Sequence, residues 1–169
     1  VSGGEKPVRT ISLEAIRERL DDIHQHGIKN VRVLDRTFNY NNKRAKELLD
    51  LFRQYPDICF HLEIHPALLS EELKQELSTL PKGLLHLEAG IQSLKEDVLQ
   101  RSRRMGKLSD ALAGLKYLCS LKNMETHADL IAGLPLYHIS EIFEDVRTLA
   151  EYGAGEIQLE SLKLLPGTE

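Results

Sequence analysis

Tryptophan is absent from the 169 residues, and all aromatics together make up 5%. Any core this chain builds is therefore aliphatic. Cysteine is nearly absent too. Cys59 and Cys119 lie far apart inside apolar stretches, which excludes a disulfide framework and reads as two reduced core thiols of a cytoplasmic protein. There is no basic surplus: 22 Lys+Arg face 26 Asp+Glu, a formal net charge of −4. That makes nucleic acid an unexpected partner, since such binders carry excess positive charge. No apolar run approaches the roughly 20 residues that span a bilayer, and Val1-Ser2-Gly3-Gly4-Glu5-Lys6-Pro7 lacks the apolar core of a signal peptide. Low-complexity segments and linkers are missing as well. What remains is an ordinary mixture, 41% hydrophobic and 28% charged, long enough for a single domain over residues 1–169 with a sizeable core.

Helical and strand patterns alternate with little between them. Ser12 reads as an N-cap, followed at helical spacing by Leu13, Ile16, Leu20 and Ile23. A strand at Val31–Leu34 runs into Asp35-Arg36-Thr37, and a helix through Ala45, Leu48 and Phe52 follows. Further strands are expected at Ile58–Ile64, Leu84–Ile91, Thr126–Ile131 and Ile157–Leu162. Helices are expected from Ser70, from a capping box at Ser93-Leu94-Lys95-Glu96, after Ser109 and behind a cap at Ser140. Five strands, each preceded by a helix, predict parallel pairing through right-handed crossovers. The fold class expected is α/β, a partial TIM-type (β/α) barrel. A chain that opens on a helix and closes on a strand also looks excised, with a first strand upstream and open sheet edges that invite homodimerisation.

Parallel strands are usually covered on both faces and apolar throughout. These carry polar groups on one parity: His61, Glu63 and His65; His86, Glu88 and Gln92; His127 and Asp129; Glu156, Gln158 and Glu160. The other parity is Phe60, Leu62 and Ile64; Leu85, Leu87 and Ile91; Leu130; Ile157 and Leu159. Helices would cover the apolar face, and the polar face would line something wet or a ligand. A sheet with one solvated face and no ligand is the plainer alternative. Charges at corresponding places on four strands favour a polar lumen, because ionised groups require partners, solvent or a polar ligand.

Ala89-Gly90-Ile91-Gln92-Ser93, Ala128-Asp129-Leu130-Ile131-Ala132-Gly133-Leu134-Pro135, Glu63-Ile64-His65-Pro66 and Leu165-Pro166-Gly167-Thr168 resemble four motifs of the radical S-adenosylmethionine superfamily. The likeness is to the branch with oxygen-independent coproporphyrinogen dehydrogenase and cobalamin-binding radical enzymes. The motifs occur in the family's order at its approximate spacing. The resemblance implies strands two to six of a radical S-adenosylmethionine core and an S-adenosylmethionine site on the following residues. Glu63 and Gln92 would touch the cofactor's polar groups. Arg104 would pair the methionine carboxylate, which suits a guanidinium that binds through two parallel hydrogen bonds. Asp129 would accept from the ribose hydroxyls. Asp35 and Thr37 stand where the family often has a Gly-rich segment, and Lys163 would offer backbone contacts.

The resemblance further implies an iron–sulfur oxidoreductase that cleaves S-adenosylmethionine to a 5′-deoxyadenosyl radical for hydrogen abstraction from a small-molecule substrate. It also implies an electron donor. The family's C-x-x-x-C-x-x-C loop, whose thiolates hold the 4Fe-4S cluster, has no counterpart in Cys59 and Cys119. The cluster ligands are therefore expected upstream, the segment from Val1 to Ser12 resembles the stretch just past that loop, and this piece alone is expected to be inactive. No residue here is assigned to a metal, and a cobalamin domain upstream is among the expectations. Two other readings stay open. One is a zinc-dependent hydrolase on His61, Glu63, His65, His86, His127 and Asp129; the other is a non-catalytic scaffold domain.

Overall fold

The computed structural model describes residues 9–104 and 106–163. Its elements, in chain order, are α1 (Leu13–Gln25), β1 (Asn30–Arg32), α2 (Asn42–Phe52), β2 (Cys59–Ile64), α3 (Glu71–Ser78), β3 (Leu85–Gln92), α4 (Glu96–Arg101), α5 (Leu108–Ser120), β4 (Glu125–Ala132), α6 (Ile139–Glu151) and β5 (Glu156–Ser161), with short 3-10 turns at Phe38–Tyr40 and Pro66–Leu68. All five strands are parallel, and their spatial order is their sequence order. A sheet in which every crossover returns on the same side curls, because each right-handed connection stacks its helix on one face. The result is a curled half-barrel with the helices outside, the partial β/α barrel that the polar parity predicted.

Side chains make the local structure. Ser12, Asn41 and Ser70 each accept a backbone N–H three residues on, from Ala15 (3.2 Å), Arg44 (3.0 Å) and Leu73 (3.2 Å), which satisfies one of the free donors at a helix start. Burial along β2 and β3 alternates residue by residue. Phe60, Leu62, Leu85, Leu87, Ala128 and Leu130 face the helices and meet Leu49, Leu73, Leu77, Leu115 and Leu118 in one cluster. Each such leucine contributes roughly 1.5–3 kcal/mol by leaving water. The few aromatics are grouped: Phe52 stacks on Phe60 with ring centres 4.1 Å apart and on Phe38 at 6.3 Å.

Two caps differ from expectation. The capping box at Ser93–Glu96 does not form. Instead the Leu94 N–H donates to the Asp145 carboxylate of α6 at 2.7 Å, and the Lys95 N–H donates to Ser93 Oγ at 3.1 Å. Asp145 is 2% exposed and also accepts from the Tyr137 hydroxyl at 2.6 Å. A buried carboxylate from a distant helix thus engages the Ser93 hydroxyl and the neighbouring Leu94 N–H, and Ser93 accepts from Lys95 rather than from Glu96. Helix α6 starts at Ile139 rather than behind Ser140, and the N–H of His138 donates to Glu141 at 2.8 Å. The expected break between α4 and α5 is present. The Leu165–Thr168 motif and residues 1–8 lie outside the described residues.

Candidate functional site

Parallel pairing in sequence order places the inward side chains in rows across the lumen. Arg32, His61, His86 and Glu125 share one row; Glu63, Glu88, His127 and Glu156 share the next; Gly90, Asp129 and Gln158 share the third. From the second row toward the carboxyl ends of the strands lies a cavity of about 400 Å³ lined by Arg36, Thr37, Glu63, Ile64, His65, Glu88, Gly90, Gln92, Arg104 and Asp129. Five of the seven residues expected from the sequence, Thr37, Glu63, Gln92, Arg104 and Asp129, converge there. Asp35 is exposed and accepts the Thr37 N–H at 3.3 Å, outside the lining. Lys163 is exposed, pairs with Glu160 at 3.0 Å, and also lies outside it.

The end of β3 is the most distorted part of the wall. Its register with β4 shifts between Gly90 and Gln92, and Gln92 sits at φ +65°. That left-handed backbone costs a non-glycine residue on the order of 1 kcal/mol or more. A bulge of this kind re-aims a side chain. Here it leaves Gln92 Oε1 buried with no hydrogen-bond partner among the described residues. Gly90 leaves room for it, since a Cβ there would come within 2.6 Å of the Gln92 amide nitrogen and push that side chain aside. Arg104 reaches the same spot, its Nη2 donating to the Gly90 carbonyl at 2.7 Å. Opposite, Asn39 is fully buried; its amide donates to the His65 carbonyl at 2.9 Å and its oxygen accepts the His65 N–H at 2.8 Å. That pair of bonds extends the edge of β2 past the point where β1 has ended, and fixes His65 in the cavity wall. Burial, followed by the charge of Arg104, pulls the His65 imidazole below its ordinary range, so it is neutral near pH 7.

The carboxylates are not equivalent. Glu88 accepts from Arg32 at 2.8 Å and lies 2.7 Å from His61 Nε2. Burial works against its charge, yet His61, the neighbouring Asp129 carboxyl and the charge of Arg32 together outweigh it and hold its pKa below the usual value. Asp129 has no such cation among the described residues. Burial first, then the nearby Glu88, push its carboxyl up to about 7. Its Oδ1 lies 2.9 Å from His127 Nε2 without the alignment of a hydrogen bond. Two adjacent carboxyls are thereby pulled apart in acidity, an arrangement found where acid and base roles are divided.

The folded value for Asp129 lies above the unfolded value of about 3.9, so between the two the folded chain holds more proton. Stability is then lost as pH rises through about 7. Asp129→Asn should flatten that loss, seen as a smaller drop in the urea midpoint between pH 5 and pH 8 in chelating buffer. An unchanged drop in the variant would show that the decline has another source.

Glu88, Gly90, His65 and Arg36 complete the site but were not assigned to it from sequence. Glu88 and Gly90 carry the parity of Gln92, and that signal was available; nothing local marks Arg36.

The family model described as the radical SAM superfamily matches residues 2–151. Comparison with curated proteins gives no significant match. Among solved structures, the fold is similar to the radical S-adenosylmethionine methyltransferase TsrM of Kitasatospora setae, solved with cobalamin and a [4Fe-4S] cluster (TM-score 0.76, 16% identity, covering 93% of this chain and 30% of that one). It is also similar to coproporphyrinogen III oxidase HemN of Escherichia coli (TM-score 0.66, 17% identity, 92% and 39%), and to the cobalamin-dependent S-adenosylmethionine radical enzyme OxsB (TM-score 0.58, 14% identity, 82% and 22%). The chain spans well under half the length of each.

Proposed function

The chain belongs to the radical SAM superfamily, and from that premise we propose that its cavity is the S-adenosylmethionine-binding part of a radical iron–sulfur enzyme. One observation carries this: Glu63, Gln92, Arg104 and Asp129, from three strands and a loop, meet at the carboxyl ends of the strands around an unpartnered buried amide oxygen. The ligand's chemistry fits that wall. Its sulfonium and ammonium are cationic, and Glu63, Glu88 and Asp129 supply acidic groups. Its carboxylate calls for a guanidinium, and Arg104 is there. Its ribose hydroxyls call for acceptors, and Asp129 and Gln92 Oε1 are free to accept. A cavity of about 400 Å³ is within the range of small-molecule sites.

The iron–sulfur cluster does not fit this chain. Such a cluster needs clustered thiolates, and the sequence holds only Cys59 and Cys119, whose thiols burial pushes up rather than toward thiolate. Its ligands belong, on this proposal, to sequence outside these residues. Bound S-adenosylmethionine, beside a reduced cluster, supplies the family's hydrogen-abstracting radical chemistry. The residues described here bind the cofactor, orient it and keep its charged end against matching charge. TsrM is a methyltransferase and HemN an oxidase, so likeness to both supports only what they share, S-adenosylmethionine-dependent radical chemistry. Within it we place this protein with the oxidoreductases. The hydrolase and scaffold readings gain no support from the family match.

The test is calorimetric titration of S-adenosylmethionine into the cluster-loaded, full-length protein. Gln92→Ala and Glu63→Gln should each weaken binding by about tenfold, the worth of one hydrogen bond to a charged or buried polar group. Wild-type affinity in both variants would overturn the assignment of this cavity.

A further inference from the structure

The two lumen rows nearest the amino ends of the strands contain three histidines, on adjacent strands, that are outside the cavity lining and that the proposed cofactor site does not use. His61 stacks on His86 with ring centres 4.6 Å apart, and His86 meets His127 edge-on at 5.9 Å. His61 is engaged by Glu88. The other two are not: His86 Nε2 and His127 Nε2 are buried without a hydrogen-bond partner among the described residues. His127 is itself 5% exposed. One ligand atom each from His86, His127 and Glu156 lie within 4.8 Å of one another, in a group drawn from three consecutive strands.

We propose that His86, His127 and Glu156 form a divalent-metal site at the amino-terminal mouth of the half-barrel, suited to a borderline ion such as zinc. The donor set of two imidazoles and a carboxylate is one that zinc takes, with a fourth tetrahedral position left for water or a further donor. Each histidine has a carboxylate near the ring nitrogen turned away from the ion, within reach of a hydrogen bond after a small adjustment. Glu125 faces His86 Nδ1 at 3.7 Å, leaving Nε2 for the ion, and Asp129 faces His127 Nε2 at 2.9 Å, leaving Nδ1, which lies 4.0 Å from Glu156. Carboxylate–histidine pairs, once hydrogen-bonded, orient the ring and raise its basicity as a ligand. Donors about 2 Å from a shared ion stand roughly 3–3.5 Å apart, so on binding the three donors draw in from separations of up to 4.8 Å, and the exposed Glu156 side chain is the member freest to turn. The site lies toward the amino ends of the strands and adjoins the cofactor cavity through Glu88 and Asp129, neither of which is among its proposed ligands.

The experiment uses tag-free, chelator-stripped protein titrated with zinc against a chromophoric chelator. One equivalent should bind, and His86→Ala and Glu156→Gln should each weaken it by about a hundredfold. Glu125→Gln, a positioning change, should cost about tenfold. Glu156 is exposed, so its variant reports binding even where a buried-histidine variant folds poorly. Cobalt substitution should give the intense visible bands of a tetrahedral site, lost in Glu156→Gln. No binding, or binding unchanged in both Glu156→Gln and His86→Ala, would overturn the proposal. S-adenosylmethionine affinity measured in Glu156→Gln should stay at the wild-type value, which separates failure of this site from failure of the cavity assignment.

Discussion

Gly114→Ala should destabilise the chain by about 3 kcal/mol or more, although helix propensity alone argues the opposite. An alanine in the middle of α5 would return about 1 kcal/mol relative to glycine. Packing overrides it. Helix α5 lies so close to the 3-10 turn Pro66–Leu68 that a Cβ on Gly114 would sit 2.0 Å from the Pro66 carbonyl oxygen and 2.7 Å from its carbon. Both atoms are backbone, so no rotamer change relieves the clash; the turn or the helix must move. Overpacking of this sort costs typically 1–3 kcal/mol and more where the neighbour is rigid. The turn follows directly on His65 and Ile64, which line the cavity, so the shift would spread into the site. Denaturant unfolding should show a lower midpoint with an unchanged slope. A midpoint equal to or above wild type would mean that propensity wins and that the contact between α5 and the turn is looser than described.

That glycine marks where the sequence stops being legible. The alternation of His61, Glu63, His86, Glu88 and Asp129 with Phe60, Leu62, Leu87 and Leu130 reads directly from a period of two, and it gave the half-barrel and its polar lumen before any coordinates. Local caps at Ser12 and Ser70 read equally well, because a side chain reaching three residues along is a short-range event. Gly114 gave no signal, since its neighbour is Pro66, nearly fifty positions away. The failed cap at Ser93 has the same cause: Asp145, buried and distant in sequence, holds the Ser93 hydroxyl and the Leu94 N–H. Asn39, with its paired bonds to His65, belongs here too. The strained φ of Gln92 arises from the register shift with β4, which no single strand encodes. Pattern fixed the faces; long-range partners fixed the conformations that shape the site.

Replacing Arg104 should have the largest effect on the proposed cofactor site. Its guanidinium is crowded enough that desolvation draws its pKa down, though the residue as a whole is exposed and an arginine stays charged regardless. One nitrogen already donates to the Gly90 carbonyl at 2.7 Å, which holds the planar group at the cavity wall with its remaining donors available. On the proposed reading those donors take the methionine carboxylate. Loss of a charge-assisted bidentate contact is worth on the order of 1.5–3 kcal/mol, so Arg104→Ala should weaken S-adenosylmethionine binding roughly tenfold to a hundredfold. Arg104→Lys should be nearly as harmful, because an ammonium cannot both grip Gly90 and present a fork. A purely structural role, tethering Gly90, would also weaken binding, so affinity alone does not separate the two. A ligand without the carboxylate does. Wild type should bind decarboxylated S-adenosylmethionine about as poorly as Arg104→Ala binds the intact cofactor, and Arg104→Ala should no longer distinguish the two ligands. If the variant kept the full wild-type preference for the carboxylate, Arg104 would be a brace for the strand end and the carboxylate would be held elsewhere.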